Sequence, residues 1–283
     1  MSDIFDFEKK PDQYAVMGNP IGHSKSPVIH QAFARETNQS LEYKAIHVDL
    51  GGFTQAVRNF QANDGAGLNI TVPFKLDAFN LADELTERAK LAGAVNTLIF
   101  QKNGKITGDN TDGYGLLGDI LNELNWPIKG QRVLILGAGG ATRGILEPLL
   151  KEQPFCLVIA NRTASKAKDL ADDFSLLGKI NGGGFADLGK QQFDLVINAT
   201  SASLQGDIPP IPETIFADNA KSYDLMYGAK PTAFMDWSKE KGASEVVDGL
   251  GMLVGQAAES FYQWRQVRPL VKPVIELLRQ DMV

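Results

Sequence analysis

The stretch RVLILGAGGATRG, residues 132 to 144, constrains this chain more than any other. An apolar, β-branched run stops at Gly137, Gly139 and Gly140, and a helical pattern starts at once. A turn this tight needs residues without Cβ, and it leaves backbone N–H groups and a helix N-terminus free to approach a pyrophosphate. The third glycine of the dinucleotide pattern is replaced by Thr142, with Gly144 further on. That departure weakens the pattern and leaves its physics intact. A glycine turn that binds nothing is the plain alternative, and the strands around it argue against that.

A strand that feeds such a helix belongs to a parallel sheet. After RVLIL the series continues with FCLVIA, FDLVIN, KSYDLM and SEVV, five strands separated by loops or helical stretches, as a doubly wound sheet requires. Pro148 falls inside the first helix of this unit and removes the donor to the Gly144 carbonyl, so a kink is expected there. Upstream, YAVMG, LEYKAIHV, LNITV and NTLIF alternate with helical segments, which predicts a second α/β unit with a mostly parallel sheet. Asn103-Gly104 predicts a hairpin into ITGDN, residues 114 to 124 an amphipathic helix, and NWPIKGQ a connector. From Met252 the pattern is helical with no strand after it, so the last two helices are expected to return and cover the first unit.

A chain of 283 residues suits two domains. The expected division is an N-terminal α/β substrate domain of residues 1–112 plus 250–283, and a Rossmann-type domain of residues 113–249, with a cleft between them. A net charge of −6 without a Lys/Arg cluster argues against nucleic acid as a partner. The acidic start MSDIFDFEKK has no apolar core and no run approaches membrane-spanning length, so neither a leader nor an anchor is expected and the chain is assigned to the cytoplasm. Cys156, the only cysteine, lies in an apolar run and reads as a buried structural thiol. His23, His30 and His47 stand in three separate segments without metal-ligand spacing, so no metal is expected.

The end of the second Rossmann strand reads on the cofactor. An acid there holds the ribose 2′-hydroxyl of NAD, whereas cations accommodate the 2′-phosphate of NADP. Here Asn161 takes the acid's approximate place, and Arg162, Thr163 and Lys166 follow. NADP is the expected cofactor, although Lys166 alone could be a solvated helix lysine. NATSA, residues 198 to 202, ends a further strand with small polar residues that would tolerate a flat nicotinamide ribose.

In the first half, GNPIGHSKSP carries Ser24 and Ser26 just before a helix, with Pro27 suited to its first turn. Ser26 is a natural N-cap, and the stretch has two readings: Ser26 merely caps and Ser24 is solvated, or the two hydroxyls at the helix N-terminus form a site for a carboxylate. Lys75 taken alone reads as a surface lysine. Its company changes that reading, because Asn69, Thr71, Asn96 and Asp112 all fall at strand ends, where an α/β domain gathers its ligand.

GNPIGHSKSP, LNITVPFK, AVNT, GDNTDG, GAGGA, NRT, NATS, YGAKPT and DGLGMLVGQA stand here in the order seen in shikimate dehydrogenases, and the chain is similar to that family from residue 18 to about 264. The resemblance implies an NADP-dependent reduction of 3-dehydroshikimate to shikimate, a step of aromatic amino acid biosynthesis. It implies Lys75 and Asp112 as the catalytic pair, Ser24 and Ser26 on the substrate carboxylate with Tyr227 near it, and Asn69, Thr71, Asn96 and Gln256 on the ring hydroxyls. It further implies Gly137, Ala138, Gly139, Gly140 and Ala141 at the pyrophosphate, and Asn161, Arg162, Thr163 and Lys166 at the 2′-phosphate. Thr200, Ser201, Met226 and Gly249 complete the implied cofactor contacts, and a homodimer is compatible with the resemblance. Members often carry Arg where this chain has Lys166, and lysine lacks the bidentate fork, so a weaker preference for NADP is expected. A relative of broader range, using quinate or NAD, is the near alternative. A dinucleotide-binding regulator without turnover is the distant one, since a sensor has no need of a proton-transfer pair.

Overall fold

In the computed structural model, which describes residues 10 to 282, strand β1 (Asp12–Gly18) buries Tyr14 to Met17 in one unbroken run. A strand covered on both faces has this pattern. Nearly all of the acidic start, on which the expectation of no leader rests, lies outside the described residues. Helix α1 (Ser26–Glu36), β2 (Leu41–His47), α2 (Phe53–Ala62) and β3 (Gly65–Ile70) follow, and β1 lies between β2 and β3 with all three parallel. Next come α3 (Lys75–Leu81), the short β4 (Glu84–Leu85), α4 (Glu87–Ala92), β5 (Thr97–Phe100) and β6 (Ile106–Asp109). β5 and β6 form the hairpin expected from Asn103-Gly104, with Gly104 at φ +84°. The sheet order is β2-β1-β3-β5-β6-β4, and the hairpin strand β5 supplies its two antiparallel pairings.

Helix α5 (Asp112–Gly118) leads out of this sheet and widens into a π-helical turn over Asp119–Glu123, closed by the Leu124 N–H on the Asp119 carbonyl. The expected amphipathic helix is therefore real, but only its first part is α-helical. The second sheet is built from β7 (Arg132–Leu136), α6 (Gly140–Lys151), β8 (Cys156–Asn161), α7 (Ala164–Phe174), β9 (Ile180–Gly184), β10 (Phe193–Asn198), β11 (Phe216–Asp224), α8 (Ala233–Glu240) and β12 (Glu245–Asp248). Its strands are all parallel in the order β12-β11-β10-β7-β8-β9, so the winding reverses between β7 and β10. Ligands bind at such a switch point.

Two local readings need correction. β9 was not anticipated, because its sequence INGGG has little β-forming character. Glycine is required there by packing, since a Cβ on Gly182 would stand 2.0 Å from the Ala167 carbonyl oxygen of α7. Cys156 is half-buried rather than buried, and desolvation raises its thiol pKa. α6 is helical through Pro148, and the Gly144 carbonyl that the proline leaves without its donor faces Gly113 of α5, where a Cβ would come within 2.5 Å.

Helices α9 (Leu250–Arg265) and α10 (Lys272–Asp281) pack on α1, with Val254, Ala257, Phe261 and Leu278 against Ile29 and Phe33. Their anchor is ionic as well as apolar. Arg88 of α4 forks onto both oxygens of Asp109 at 2.7 and 2.5 Å and reaches Glu259 of α9 at 3.0 Å. No helix among the described residues is long and apolar enough to cross a membrane.

Asp119 is a buried cost. Desolvation raises its pKa from 3.8 to about 6, against the bond from Tyr223, with the charges of Glu123 and Asp248 adding to the rise and Arg279 opposing it. A carboxyl whose folded pKa exceeds its unfolded one contributes no penalty below the unfolded value and the full penalty above the folded one. Asp119→Asn is therefore expected to raise the unfolding free energy at pH 7.5, by on the order of 3 kcal/mol at most. At pH 3.5 the gain should be absent, and urea melts at the two pH values check this.

Candidate active site

Lys75 and Asp112 meet. Lys75 is the first residue of α3, delivered by the turn at Pro73, and its Nζ lies 2.5 Å from Asp112 Oδ2. Asp112 is the first residue of α5, and its N–H donates to the Asn110 side chain at 3.1 Å. The second carboxylate oxygen accepts from Asn96 Nδ2 at 2.7 Å. Asn96 in turn accepts from the Thr111 N–H and the Thr97 hydroxyl, and its remaining hydrogen goes to Thr111 Oγ1. Both amide hydrogens and both lone pairs of Asn96 are thus engaged inside the protein, and it would meet a ring hydroxyl only by giving up one of these bonds.

The pair opens into a cavity of about 380 Å³ between the two sheets. All nine side chains expected on the substrate line it: Ser24, Ser26, Asn69, Thr71, Lys75, Asn96, Asp112, Tyr227 and Gln256. They come from the β1–α1, β3–α3 and α4–β5 segments, α5, the loop after β11 and α9, so no single segment builds the site. Lys25 and Met252 also line it and were not singled out from sequence, although Lys25 stands inside the HSKSP segment. With two lysines and one aspartate, the cavity favours an anion.

Several details differ from expectation. The N-cap of α1 is Lys25, not Ser26, and no side chain caps it. Ser24 Oγ accepts from the Ser26 N–H at 3.3 Å, which leaves the buried Ser26 hydroxyl without a capping duty. Asn69 accepts from the Tyr43 hydroxyl at 2.7 Å and donates to Ser260 at 3.0 Å, so one lone pair of its oxygen stays uncommitted. Behind it His30 stacks on Tyr43 at 4.2 Å, and burial pushes the imidazole pKa down to about 3, which keeps it neutral. Burial, with the Asp248 charge adding, raises the Tyr227 phenol, so its O–H is a donor at neutral pH.

The glycine loop lies at the switch point. Gly137 has φ +105°, and a Cβ on it would press on Thr200 and Ala199 of the neighbouring strand end at 3.2 and 3.3 Å. Around Gly139 and Gly140, by contrast, an added Cβ would meet nothing within 4 Å. Neighbouring protein atoms do not require glycine at these two positions, and the open cradle above the first N–H groups of α6 fits a pyrophosphate. Ala138 and Ala141 flank them. Thr142, which replaces the third glycine, is buried and ties its hydroxyl to the Gly137 carbonyl at 2.9 Å, so it locks the loop from within.

Asn161 donates to the Thr163 carbonyl at 3.0 Å and shapes the turn after β8. Arg162 and Lys166 are exposed there, and neither enters an ion pair among the described residues. Two free cations and no carboxylate suit a phosphate. Thr200 donates its hydroxyl to Asn198 at 2.7 Å, next to exposed Ser201. The Gly249 N–H donates to the Met226 carbonyl at 3.1 Å, which joins the second sheet to the cavity wall. Arg162 and Lys166 do not line the cavity.

Three family models match the chain. Residues 16–98 match the shikimate dehydrogenase substrate binding domain, 120–205 the shikimate / quinate 5-dehydrogenase model, and 249–279 the shikimate 5′-dehydrogenase C-terminal domain. The shikimate dehydrogenase (NADP(+)) of Cellvibrio japonicus is 55% identical over 96% of this chain and 98% of its own. That of Saccharophagus degradans is 53% identical over 95% and 99%. Among solved structures, an Ael1 enzyme from Pseudomonas putida has a TM-score of 0.90 at 48% identity, covering 94% of this chain and 98% of that one. The shikimate 5-dehydrogenase of Thermus thermophilus in complex with NADP(H) and shikimate has a TM-score of 0.83 at 30% identity, covering 95% and 99%.

Proposed function

The chain belongs to the shikimate dehydrogenase family, and on that footing we propose that it catalyses the reversible NADP-dependent reduction of 3-dehydroshikimate to shikimate. The observation that carries the reading is the contact between Lys75 and Asp112 in a cavity whose other polar side chains suit a carboxylated polyol. NADPH, when bound, supplies the hydride that reduces the ketone carbon. Negative charge then grows on the ketone oxygen, and the Lys75 ammonium stabilises it and gives it a proton. Lys75 is 32% exposed, so it can regain that proton from water. Asp112, steadied by Asn96 on its other oxygen, aims the ammonium. In the oxidation direction a neutral Lys75 accepts the hydroxyl proton.

Ser24 and Ser26 hold the carboxylate with the Tyr227 hydroxyl near them, and Asn69, Thr71, Asn96 and Gln256 face the ring. Gly137, Ala138, Gly139, Gly140 and Ala141 cradle the pyrophosphate. Asn161, Arg162, Thr163 and Lys166 take the 2′-phosphate, while Thr200, Ser201, Met226 and Gly249 border the nicotinamide end. Residues 1–112 with 250–283 act as the substrate half and 113–249 as the cofactor half. A cytoplasmic setting, a homodimer and no nucleic-acid partner belong to the same reading, in keeping with a single cysteine and a net charge of −6.

The test is the rate of NADP+ reduction by the purified protein on shikimate, beside quinate. Turnover on shikimate well above quinate is expected, and equal efficiency on quinate would overturn the substrate assignment. Arg162→Ala is expected to weaken NADP+ far more than NAD+, because a positive charge facing a dianionic phosphate serves only the phosphorylated cofactor. Equal loss of both in fluorescence titrations would remove Arg162 from phosphate recognition.

A further inference from the structure

Two buried side chains outside the cavity join its walls. Asp119, where α5 widens into its π-helical turn, is 3% exposed, and Tyr223 of β11 is fully buried. The Tyr223 hydroxyl donates to Asp119 Oδ2 at 2.6 Å and accepts from the Met252 N–H at 3.2 Å. One hydroxyl is thereby shared by α5, β11 and the first turn of α9. The backbones close tightly around it: a Cβ on Gly251 would stand 2.1 Å from the Asp119 carboxylate, and one on Gly255 2.8 Å from the Gly115 carbonyl.

These three elements also frame the cavity. α5 begins with Asp112, the first turns of α9 carry Met252 and Gln256, and β11 leads into Tyr227. The chain passes from the first sheet to the second along α5 and leaves the second at Gly249, so both crossings end on the shared hydroxyl.

We propose that Tyr223 and Asp119 form a positioning pair that fixes the start of α9 against α5, and so sets the distance of Met252 and Gln256 from Lys75 and Asp112. Moving β11 away from the turn after α5 or from α9 has to break one or both bonds, leaving a buried carboxylate or the Met252 N–H unpaired. Misaligned arrangements of α9 against β11 and the turn after α5 are disfavoured accordingly. The surroundings of Asp119 make its charge expensive. Glu123 faces it from its own turn, Asp248 from β12 and Arg279 from α10, and Lys272 and Glu276 line the same small cavity of about 190 Å³. A destabilising ionised group is tolerated where function needs it.

The inference rests on the dehydrogenase reading, and the experiment separates the two. Tyr223→Phe keeps the ring that packs edge-on against Trp126 and removes only the hydroxyl. On the full chain it is expected to lower kcat/KM for shikimate at least tenfold and to speed amide exchange over residues 250–253, with NADP+ affinity within twofold. Asp119→Asn, the second variant, should be less active than wild type and yet more stable at neutral pH, a combination that a purely structural role does not produce. Its pH–rate profile should also lack the inflection near pH 6 expected of wild type. Wild-type turnover retained within twofold by both variants would overturn the pair. If wild type itself is silent on shikimate, the dehydrogenase reading falls, and unchanged exchange at 250–253 in Tyr223→Phe then overturns the pair as well.

Discussion

Lys75→Ala is expected to reduce turnover on shikimate by roughly 10²–10⁴-fold, the usual size of a general acid–base contribution. The substitution removes the ammonium that lies 2.5 Å from Asp112 and leaves the carboxylate with Asn96 as its side-chain donor. Lys25 is the other lysine lining the cavity, and it belongs to the Ser24–Ser26 segment rather than to α3, so it offers no substitute at the reacting carbon. Because the glycine loop and Arg162 are untouched, NADP+ binding should hold within about twofold, which separates the loss from cofactor affinity. Steady-state rates together with NADPH fluorescence titration check both parts. A variant with wild-type kcat would take Lys75 out of the proton transfer.

Arg88→Ala is expected to destabilise the fold by roughly 3–5 kcal/mol, the loss that follows when one partner of a buried ion pair is removed. Asp109 is fully buried and would lose its guanidinium fork, while Glu259, 8% exposed, would keep Arg268 and Gln263 but lose its inner cation. Burial works against the Arg88 charge, yet the bonds and charges of Asp109 and Glu259 outweigh it and raise the guanidinium pKa. Burial likewise opposes the Glu259 charge, and Gln263, Arg88 and Arg268 together still lower that carboxyl. A depressed carboxyl contributes stability above its unfolded pKa and loses it as pH falls through the folded one. The wild-type advantage over Arg88→Ala should therefore be full at neutral pH and shrink below about pH 4.5, the ordinary range of a glutamate. Urea melts across that range measure it. A loss under about 1 kcal/mol would mean that water reaches the carboxylates and the pair behaves as a surface bridge.

Activity in Arg88→Ala should fall as well, for a positional reason. Asp109 accepts from the Asn110 N–H at 2.8 Å, and Asn110 in turn accepts from the Asp112 N–H. Loosening Asp109 loosens the turn that presents the Asp112 carboxylate to Lys75.

How far each feature was legible in the sequence depends on the range of the forces behind it. The glycine loop after RVLIL, the Asn103-Gly104 hairpin and the cations after β8 follow from backbone sterics and local charge. These are written in a few adjacent residues. β9 escaped because glycine in INGGG answers to the close approach of α7, a tertiary demand without a local signal. Ser26 was misread as a cap for the reverse reason: its position fits the local rule, but the helix starts one residue earlier, and the hydroxyl lies in the wall of the cavity.

What the sequence by itself determined is the two α/β units, the order of most of their elements and the set of polar residues at strand ends. Only the tertiary structure decided which of those residues meet. Lys75 reaches Asp112 across 37 positions, Arg88 reaches Glu259 across 171, and Asn69 reaches Ser260 across 191. Such contacts depend on two sheets and the returning helix α9 being packed at once, and no periodicity or spacing encodes a hydrogen bond between segments so far apart. The saturation of Asn96 and the shared Tyr223 hydroxyl belong to the same class, because hydrogen-bonding capacity is used up only when the partners have been brought into place.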